Sequence, residues 1–209
     1  MTIDLAALEA APLHQEPFPY LIAPGFIPPA ALAAIDRDFP KIDRPGSFPP
    51  DELEGGPAYE QLIEEFCGDA VREAIARRFG LDLSGRPVLC TVRTRTRAKD
   101  GQIHRDSTFK LVTLLLYLNT DWSEDSGRLR LLRSKDDIED YVAEVPPLGG
   151  TLLVFKCTEN AWHGHKSFAG PRRAIQLNYV TDEEVLRKEL GRHRFSAKVK
   201  KLGRLLGVG

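Results

Sequence analysis

The sequence predicts a mostly β domain with flanking helices, built around a core of the jelly-roll type. Residues 1–80 carry helical spacing and many chain breakers, whereas the apolar period changes to that of strands from Val88 onward. Several short strand-like segments then follow with turns between them and no intervening helix, which is typical of a sandwich or barrel. A chain of 209 residues fits one domain with a sizeable core.

Helix and loop signals alternate in the N-terminal part. The predicted elements are, in chain order, a helix over 5–10, an edge strand over 17–22, a helix over 30–39, a loop over 40–57 and a helix over 58–79. The prolines of the second segment suit an edge strand. The loop is dense in proline and glycine, and long loops of this kind are often lids or binding segments. Apolar residues at helical spacing support the last helix, which Gly80 should end.

Five further segments make up the predicted core. Strands are predicted over 88–97, over 111–118, around Leu129 and Leu131, over 151–155 and over 173–180. The continuous apolar run of the second strand suits burial on both faces. Leu129 and Leu131 alternate with Arg128 and Arg130, which predicts a half-buried strand.

Composition and charge exclude several classes of function. A formal net charge of −1 gives no electrostatic argument for nucleic-acid binding. No apolar run approaches the roughly 20 residues that span a bilayer, and residues 1–13 lack the features of a secretion signal. We therefore expect a cytoplasmic protein in which Cys67, Cys90 and Cys157 are small buried hydrophobes rather than a disulfide or zinc framework.

A candidate metal site combines residues from two distant segments. His104 and Asp106 have the spacing that places two side chains on one side of a β-strand. His163 follows 59 residues after His104, and His165 competes with it for the third ligand position. Two imidazoles and one carboxylate can occupy one face of a ferrous ion and leave its other positions open. Zinc accepts the same donors, but zinc alone would not explain the nearby Arg172, a cation able to grip a carboxylate with two hydrogen bonds.

Longer motifs surround these residues. The segments are His104-Arg105-Asp106, the run Lys110 to Trp122 with its YLN-x-D-W sequence, Ser126-Gly127-Arg128-Leu129-Arg130, and His163 through Ile175. Residues 86–180 thereby resemble the double-stranded β-helix (jelly-roll, cupin-like) core of the Fe(II)- and 2-oxoglutarate-dependent oxygenases, in the branch that contains the prolyl 4-hydroxylases. The resemblance leaves the N-terminal third and the C-terminal tail outside it.

The resemblance implies a role for each matching residue. It makes His104, Asp106 and His163 the iron ligands and Arg172 the residue that holds the 5-carboxylate of 2-oxoglutarate. Tyr117 matches a tyrosine that joins this arginine, and Thr113, four residues earlier on the same strand face, is a further candidate for this pocket. A register that uses Arg173, with His163 or His165, stays open. The implied cofactors are Fe(II), 2-oxoglutarate and O2, with ascorbate as a stimulant.

The implied activity is hydroxylation of an unactivated C–H bond on a small molecule, coupled to decarboxylation of 2-oxoglutarate to succinate. Relatives often carry a tyrosine where this chain has Arg93, Arg95 and Arg97. We expect these arginines on one strand face, either as a solvated face or as a binding row for an anionic substrate. A peptidyl side-chain (prolyl-type) hydroxylase and a cupin-like metalloenzyme that does not use 2-oxoglutarate are the alternatives.

We expect a single domain over 1–209 with three parts. These are an N-terminal helical and loop part over 1–85, the jelly-roll catalytic core over 86–180 and a basic helical tail over 181–209. The tail is expected to be a solvated helix. Contact with an anionic membrane surface or an acidic partner is the alternative.

Overall fold

The computed structural model describes residues 1–191 of the chain. Its helices are α1 (Leu5–Ala10), α2 (Pro29–Asp38), α3 (Pro57–Cys67) and α4 (Asp69–Phe79), and 183–191 are also helical. Its strands are β1 (Leu13–His14), β2 (Tyr20–Ala23), β3 (Val88–Thr96), β4 (Lys110–Tyr117), β5 (Leu129–Leu132), β6 (Tyr141–Val145), β7 (Leu152–Lys156), β8 (His163–Gly164) and β9 (Gly170–Val180).

The strands form two antiparallel sheets that face each other. The larger sheet has the order β1-β2-β7-β4-β9-β3, and the smaller has the order β6-β5-β8. A buried apolar cluster between the sheets contains Phe18, Tyr117, Leu131 and Phe155. This arrangement agrees with the predicted mostly β fold and its sandwich core.

Strand β4 lies at the centre of the larger sheet, between β7 and β9. Its alternate side chains serve two cores, because successive residues of a strand point to opposite faces. Leu114 packs with the helices, in a cluster that includes Phe66 and Ile75. Tyr117 packs between the sheets. The prediction that the strand over 111–118 is buried on both faces is therefore confirmed.

The predicted helix over 58–79 is two helices, because Gly68 interrupts it. Gly68 has an extended backbone (φ −78°, ψ 171°), so α3 ends and α4 begins there. Gly80 then ends α4 as predicted. Its φ of 59° lies in the left-handed region that glycine enters without strain, and its N–H bonds to the Ala76 carbonyl.

The prediction that β5 is half-buried is wrong. All of its residues are buried, and Arg130 is only 5 % exposed. Its guanidinium is compensated by Glu144 at 2.7 Å and by Glu139 at 2.9 Å, and it lies over the Tyr141 ring. A buried arginine with two carboxylate partners has no signature in a strand-like sequence pattern, which reports only alternation.

The N-terminal strand and the loop 40–57 also differ from expectation. Strand β2 begins only at Tyr20, and the two-residue β1 lies at the sheet edge beside it. In the loop, Phe48 exchanges two backbone hydrogen bonds with Val92 (2.9 and 2.8 Å). The hydroxyl of Thr94 donates to the Ile42 carbonyl. The loop thereby covers the open edge of β3, which would otherwise expose unpaired backbone groups.

Other expectations concern location and organisation. None of the helices in the described part is long and apolar enough to cross a membrane. Cys90 is buried, Cys67 and Cys157 are half-buried, and all three are free thiols. The cytoplasmic location and the division into three parts stay predictions. The tail lies outside the described residues from 192 onward.

Candidate metal centre

Two backbone hydrogen bonds join the segments that carry the candidate histidines. His104 and His163 each donate their N–H to the other's carbonyl, both at 2.9 Å. Their imidazole rings lie 4.3 Å apart, centroid to centroid. His163 belongs to β8, which pairs with β5 through Leu131, so one ligand is held by the smaller sheet. Gly164 allows this approach, since a Cβ there would lie 2.9 Å from the Gly101 carbonyl oxygen.

Asp106 does not share a strand with His104, contrary to prediction. His104 forms only an isolated bridge, and Asp106 lies in the loop that leads to β4. Two side chains of β4 hold the carboxylate instead. The ammonium of Lys110 lies 2.7 Å from Oδ1, and the hydroxyl of Thr113 donates to Oδ2 at 2.5 Å. Burial alone would raise the pKa of Asp106, but Lys110 and His163 hold it below its usual value.

Ligand atoms of His104, Asp106 and His163 lie within 4.8 Å of one another. The Nδ1 atom of His104 lies 2.8 Å from the Gln102 carbonyl, and that of His163 lies 2.9 Å from the Ala161 carbonyl. A carbonyl can only accept, so both Nδ1 atoms carry hydrogen, and Nε2 is the ring nitrogen that each imidazole can offer to a metal. Such hydrogen bonds orient metal-binding imidazoles. The donor set therefore fits a ferrous ion.

His165 lies beside this group but does not belong to it. Its Nδ1 is 2.8 Å from the Lys166 carbonyl, and its ring packs against Gly101. Burial, followed by the charge of Arg172, lowers the pKa of His165 to about 4. Burial also lowers the pKa of His163 to about 4. Both imidazoles are thus neutral at physiological pH, and His163 is in the form that binds metals.

The two candidate arginines of β9 face opposite sides of the sheet. Tyr117 pairs with Ala174, so Arg172, two residues earlier, shares the face of Tyr117. Arg172 is 6 % exposed, and its guanidinium lies 5.3 Å from the Tyr117 ring. Its Nε donates to the Gly127 carbonyl at 2.8 Å. Arg173 points the other way and forms an ion pair with Asp36.

Arg172 carries a buried charge without a carboxylate partner among residues 1–191. Tyr117 beside it is fully buried, and burial raises the pKa of its hydroxyl while Arg172 opposes the rise. That hydroxyl has no hydrogen-bond partner in the described part of the chain. A buried cation without a carboxylate partner, next to a buried hydroxyl without a hydrogen-bond partner, is costly unless a ligand satisfies both. The pair therefore fits the carboxylate of 2-oxoglutarate.

The predicted row of three arginines on one strand face is incomplete. Arg93 pairs with Ala174, whereas Arg95 pairs with Pro171, so a bulge lies between the two positions. Arg97 follows the end of β3 at Thr96, so the expectation that it belongs to the strand is wrong. Arg93 lines the same cavity as Ala174, and Arg95 and Arg97 do not line it.

Arg93 is anchored loosely at the cavity. Its guanidinium donates to the Ser47 hydroxyl at 3.1 Å and lies 3.8 Å from Asp100. Asp100 is bound more closely by Arg97, at 3.0 Å, so one carboxylate serves two guanidiniums. Partial burial lowers the pKa of Arg93, Asp100 opposes this, and the like charge of Arg172 adds to it. The sequence did not single out Ser47 of the loop 40–57.

The cavity connects these groups and has a volume of about 110 Å³. Its lining includes five of the six predicted site residues. The sixth, Tyr117, is outside the lining, and its ring contacts Arg172. Thr113 lies at the metal end rather than beside Arg172, because it bonds to Asp106 and accepts from Asn178 at 2.7 Å. Lys110 is the polar group that sequence reasoning missed. Its position four residues after Asp106 was the available signal.

Comparison with known proteins supports this picture. The sequence model of the 2OG-Fe(II) oxygenase superfamily matches residues 93–180. Among curated proteins, none matches the chain in sequence. Solved structures do. A prolyl-4-hydroxylase from Pseudomonas putida is 20 % identical with a TM-score of 0.53, and the match covers 78 % of this chain and 93 % of that one.

Two further solved structures resemble the chain. An oxidoreductase of the 2OG-Fe(II) oxygenase family from Burkholderia pseudomallei is 16 % identical with a TM-score of 0.53, over 85 % of this chain and 90 % of that one. HygX from Streptomyces hygroscopicus, with nickel and 2-oxoglutarate bound, is 15 % identical with a TM-score of 0.52, over 77 % and 81 %. At these identities the likeness concerns the fold, and it confirms the predicted double-stranded β-helix core.

Proposed function

We propose that the chain is an oxygenase of the 2OG-Fe(II) superfamily, whose sequence model matches residues 93–180, and that it hydroxylates an unactivated C–H bond of a small anionic molecule. Fe(II) with bound 2-oxoglutarate supplies the oxidising chemistry, in which O2 and 2-oxoglutarate yield succinate, carbon dioxide and a substrate C–OH group. The observation that carries the proposal is the buried Arg172, which has no carboxylate partner among residues 1–191 and lines the same cavity as the cluster of His104, Asp106 and His163.

The three clustered residues would hold the iron on one side. Their donor atoms would be two imidazole Nε2 atoms and a carboxylate oxygen, the facial set found in non-haem iron oxygenases. Because both imidazoles are fixed through Nδ1, the protein sets their orientation before the ion arrives. Thr113, bonded to Asp106, would steady the carboxylate.

Arg172 and Tyr117 would hold the 5-carboxylate of 2-oxoglutarate. A guanidinium offers two parallel donors to a carboxylate, and the buried Tyr117 hydroxyl adds a third. The depth of this pair also excludes water from the cosubstrate, since both residues are almost fully buried.

The substrate class follows from the charge that remains. Arg93 and Arg172 line the cavity together with a single carboxylate, Asp106. Because Arg172 would bind the cosubstrate, Arg93 is the remaining arginine of the cavity lining. Its carboxylate neighbour, Asp100, forms a closer ion pair with Arg97. A partly exposed guanidinium at the cavity with a shared counter-ion favours a substrate that carries a carboxylate or phosphate.

The oxygenase reaction is tested by succinate formation from 2-oxoglutarate with ferrous iron, ascorbate and air. Ala variants of His104, Asp106 and His163 are expected to lose turnover and to lose Mn(II) binding measured by calorimetry. The matched control is His165→Ala, which is expected to keep wild-type Mn(II) affinity because His165 lies outside the cluster. Metal binding lost in the His165 variant and kept in the His163 variant would assign the third ligand to His165.

The substrate class is tested by a panel of small carboxylates, phosphates and their uncharged analogues. We expect acids to stimulate succinate formation and Arg93→Met to reduce that stimulation by at least about tenfold, the value of one charge-assisted hydrogen bond. Arg95→Met is the matched control, because Arg95 lies on the same strand but does not line the cavity. Stimulation by uncharged analogues alone would refute the anionic class.

A peptidyl hydroxylase is the second candidate, favoured by the fold likeness to the prolyl-4-hydroxylase of Pseudomonas putida. The same assay with proline-containing peptides separates the two, because a peptide substrate would stimulate turnover without an added small acid. A cupin-like enzyme that does not use 2-oxoglutarate predicts no binding of this cosubstrate to the metal-loaded protein.

A further inference from the structure

A buried ion pair lies directly on the carboxylate of the candidate metal centre. The ammonium of Lys110 is 2.7 Å from Oδ1 of Asp106, and the two side chains are 13 % and 8 % exposed. The other oxygen, Oδ2, accepts from Thr113. Within the described residues Lys110 has no other ion-pair partner. Both oxygens of the one anionic ligand are thus engaged, and one of them by a full positive charge.

The carboxylate serves two purposes that oppose each other. Without metal, Lys110 compensates the buried charge of Asp106 and keeps it oriented between His104 and His163. With a divalent ion bound to Asp106, the same ammonium becomes a like charge close to the metal, in surroundings that screen it poorly. The ion must displace Lys110 from Oδ1, share the carboxylate with it, or use Oδ2 beside Thr113.

We propose that Lys110 is a positioning residue that orients Asp106 for the metal and at the same time weakens divalent-metal binding by at least about tenfold, because its positive charge repels the ion at close range. This inference rests on the proposed function in one respect, the assignment of Asp106 as a ligand. Lys110 orients the carboxylate for an incoming ion and keeps the bound ion exchangeable.

The test measures Mn(II) and Co(II) affinity of the full-length protein by calorimetry, together with the melting temperature with and without metal. Lys110→Met removes the charge and keeps the length of the side chain. It is expected to bind both ions at least about tenfold more tightly, to melt at a lower temperature without metal, and to gain more from metal than the wild type. A purely structural lysine would lower the melting temperature without tightening metal binding.

Two companion variants complete the test. Lys110→Arg keeps the charge and is expected to bind metal within about threefold of the wild type. Lys110→Gln keeps a hydrogen-bond donor without the charge, and it is expected to tighten binding even if the Met variant does not fold. Unchanged or weaker binding in the uncharged variants overturns the inference while leaving the metal centre intact. A wild-type protein that binds neither ion refutes the proposed function, and the inference with it.

Discussion

Replacing Arg172 by methionine gives the sharpest test of how the cosubstrate is held. Arg172 is 6 % exposed and lines the cavity beside Tyr117. A hydrogen bond to a charged group contributes about 1.5–3 kcal/mol, and a guanidinium offers two of them to one carboxylate. Their loss amounts to about 3–6 kcal/mol, which at 1.4 kcal/mol per tenfold weakens 2-oxoglutarate binding by about a hundredfold or more.

The assay is an anaerobic titration of the Mn(II)-loaded protein with 2-oxoglutarate, in which binding is measured by calorimetry. Arg173→Met is the matched control, because Arg173 is the next residue along β9, is partly exposed and forms an ion pair with Asp36 on the opposite face. We expect this variant to bind 2-oxoglutarate as the wild type does. Mn(II) affinity in the absence of 2-oxoglutarate should change little in either variant.

Two outcomes would refute the reasoning. If Arg173→Met loses 2-oxoglutarate affinity and Arg172→Met keeps it, the face assignment from the pairing of β4 with β9 is wrong. If both variants keep full affinity, neither arginine holds the cosubstrate, and the assignment of Arg172 to its carboxylate is wrong.

Three further predictions concern stability. The pKa of His163 falls from 6.5 in the unfolded chain to about 4 in the folded one, so the unfolded state binds more protons between these pH values. The free energy of unfolding without metal should therefore drop by about 3 kcal/mol as the pH falls from 6.5 to 4. Chemical unfolding curves that coincide at pH 7 and pH 4.5 would contradict this. Gly164→Ala places a Cβ 2.9 Å from the Gly101 carbonyl oxygen and should destabilise the fold by about 1–3 kcal/mol and lower Mn(II) affinity; wild-type affinity would show that β8 can shift without consequence. Arg130→Met leaves Glu144 without its partner at 2.7 Å and should lower the urea unfolding free energy by about 2–4 kcal/mol, whereas a loss below 1 kcal/mol would mean that solvent already screens this pair.

The sequence was informative where a single local signal determines the structure. The apolar run of β4 needed no partner to be recognised as buried, and Gly80 ended α4 through its own backbone freedom. Gly68 carried a comparable signal within the predicted helix 58–79, but a glycine inside a helical pattern is also tolerated at a small energetic cost. Only the extended backbone of Gly68 shows which of the two applies.

Features that depend on pairing could not be predicted in this way. Strand β8 has two residues and exists because β5 lies beside it. The bulge between Arg93 and Arg95 depends on the register with β9, which the alternation within β3 does not contain. The spacing of Asp106 from His104 predicts that both residues lie on one strand. In the structure Asp106 lies in a loop, and the ammonium of Lys110 holds its carboxylate.

The hydrogen bonds between His104 and His163 have a consequence for how metal binding relates to folding. They join two points 59 residues apart, and closing a flexible segment of that length costs about 3–4 kcal/mol in chain entropy. In a small domain that folds only around its ion, metal binding must supply this cost. Here the two hydrogen bonds join backbone groups and do not involve the imidazole Nε2 atoms, so metal binding does not have to supply this cost. The protein should therefore lose and regain its metal while both histidines stay in place.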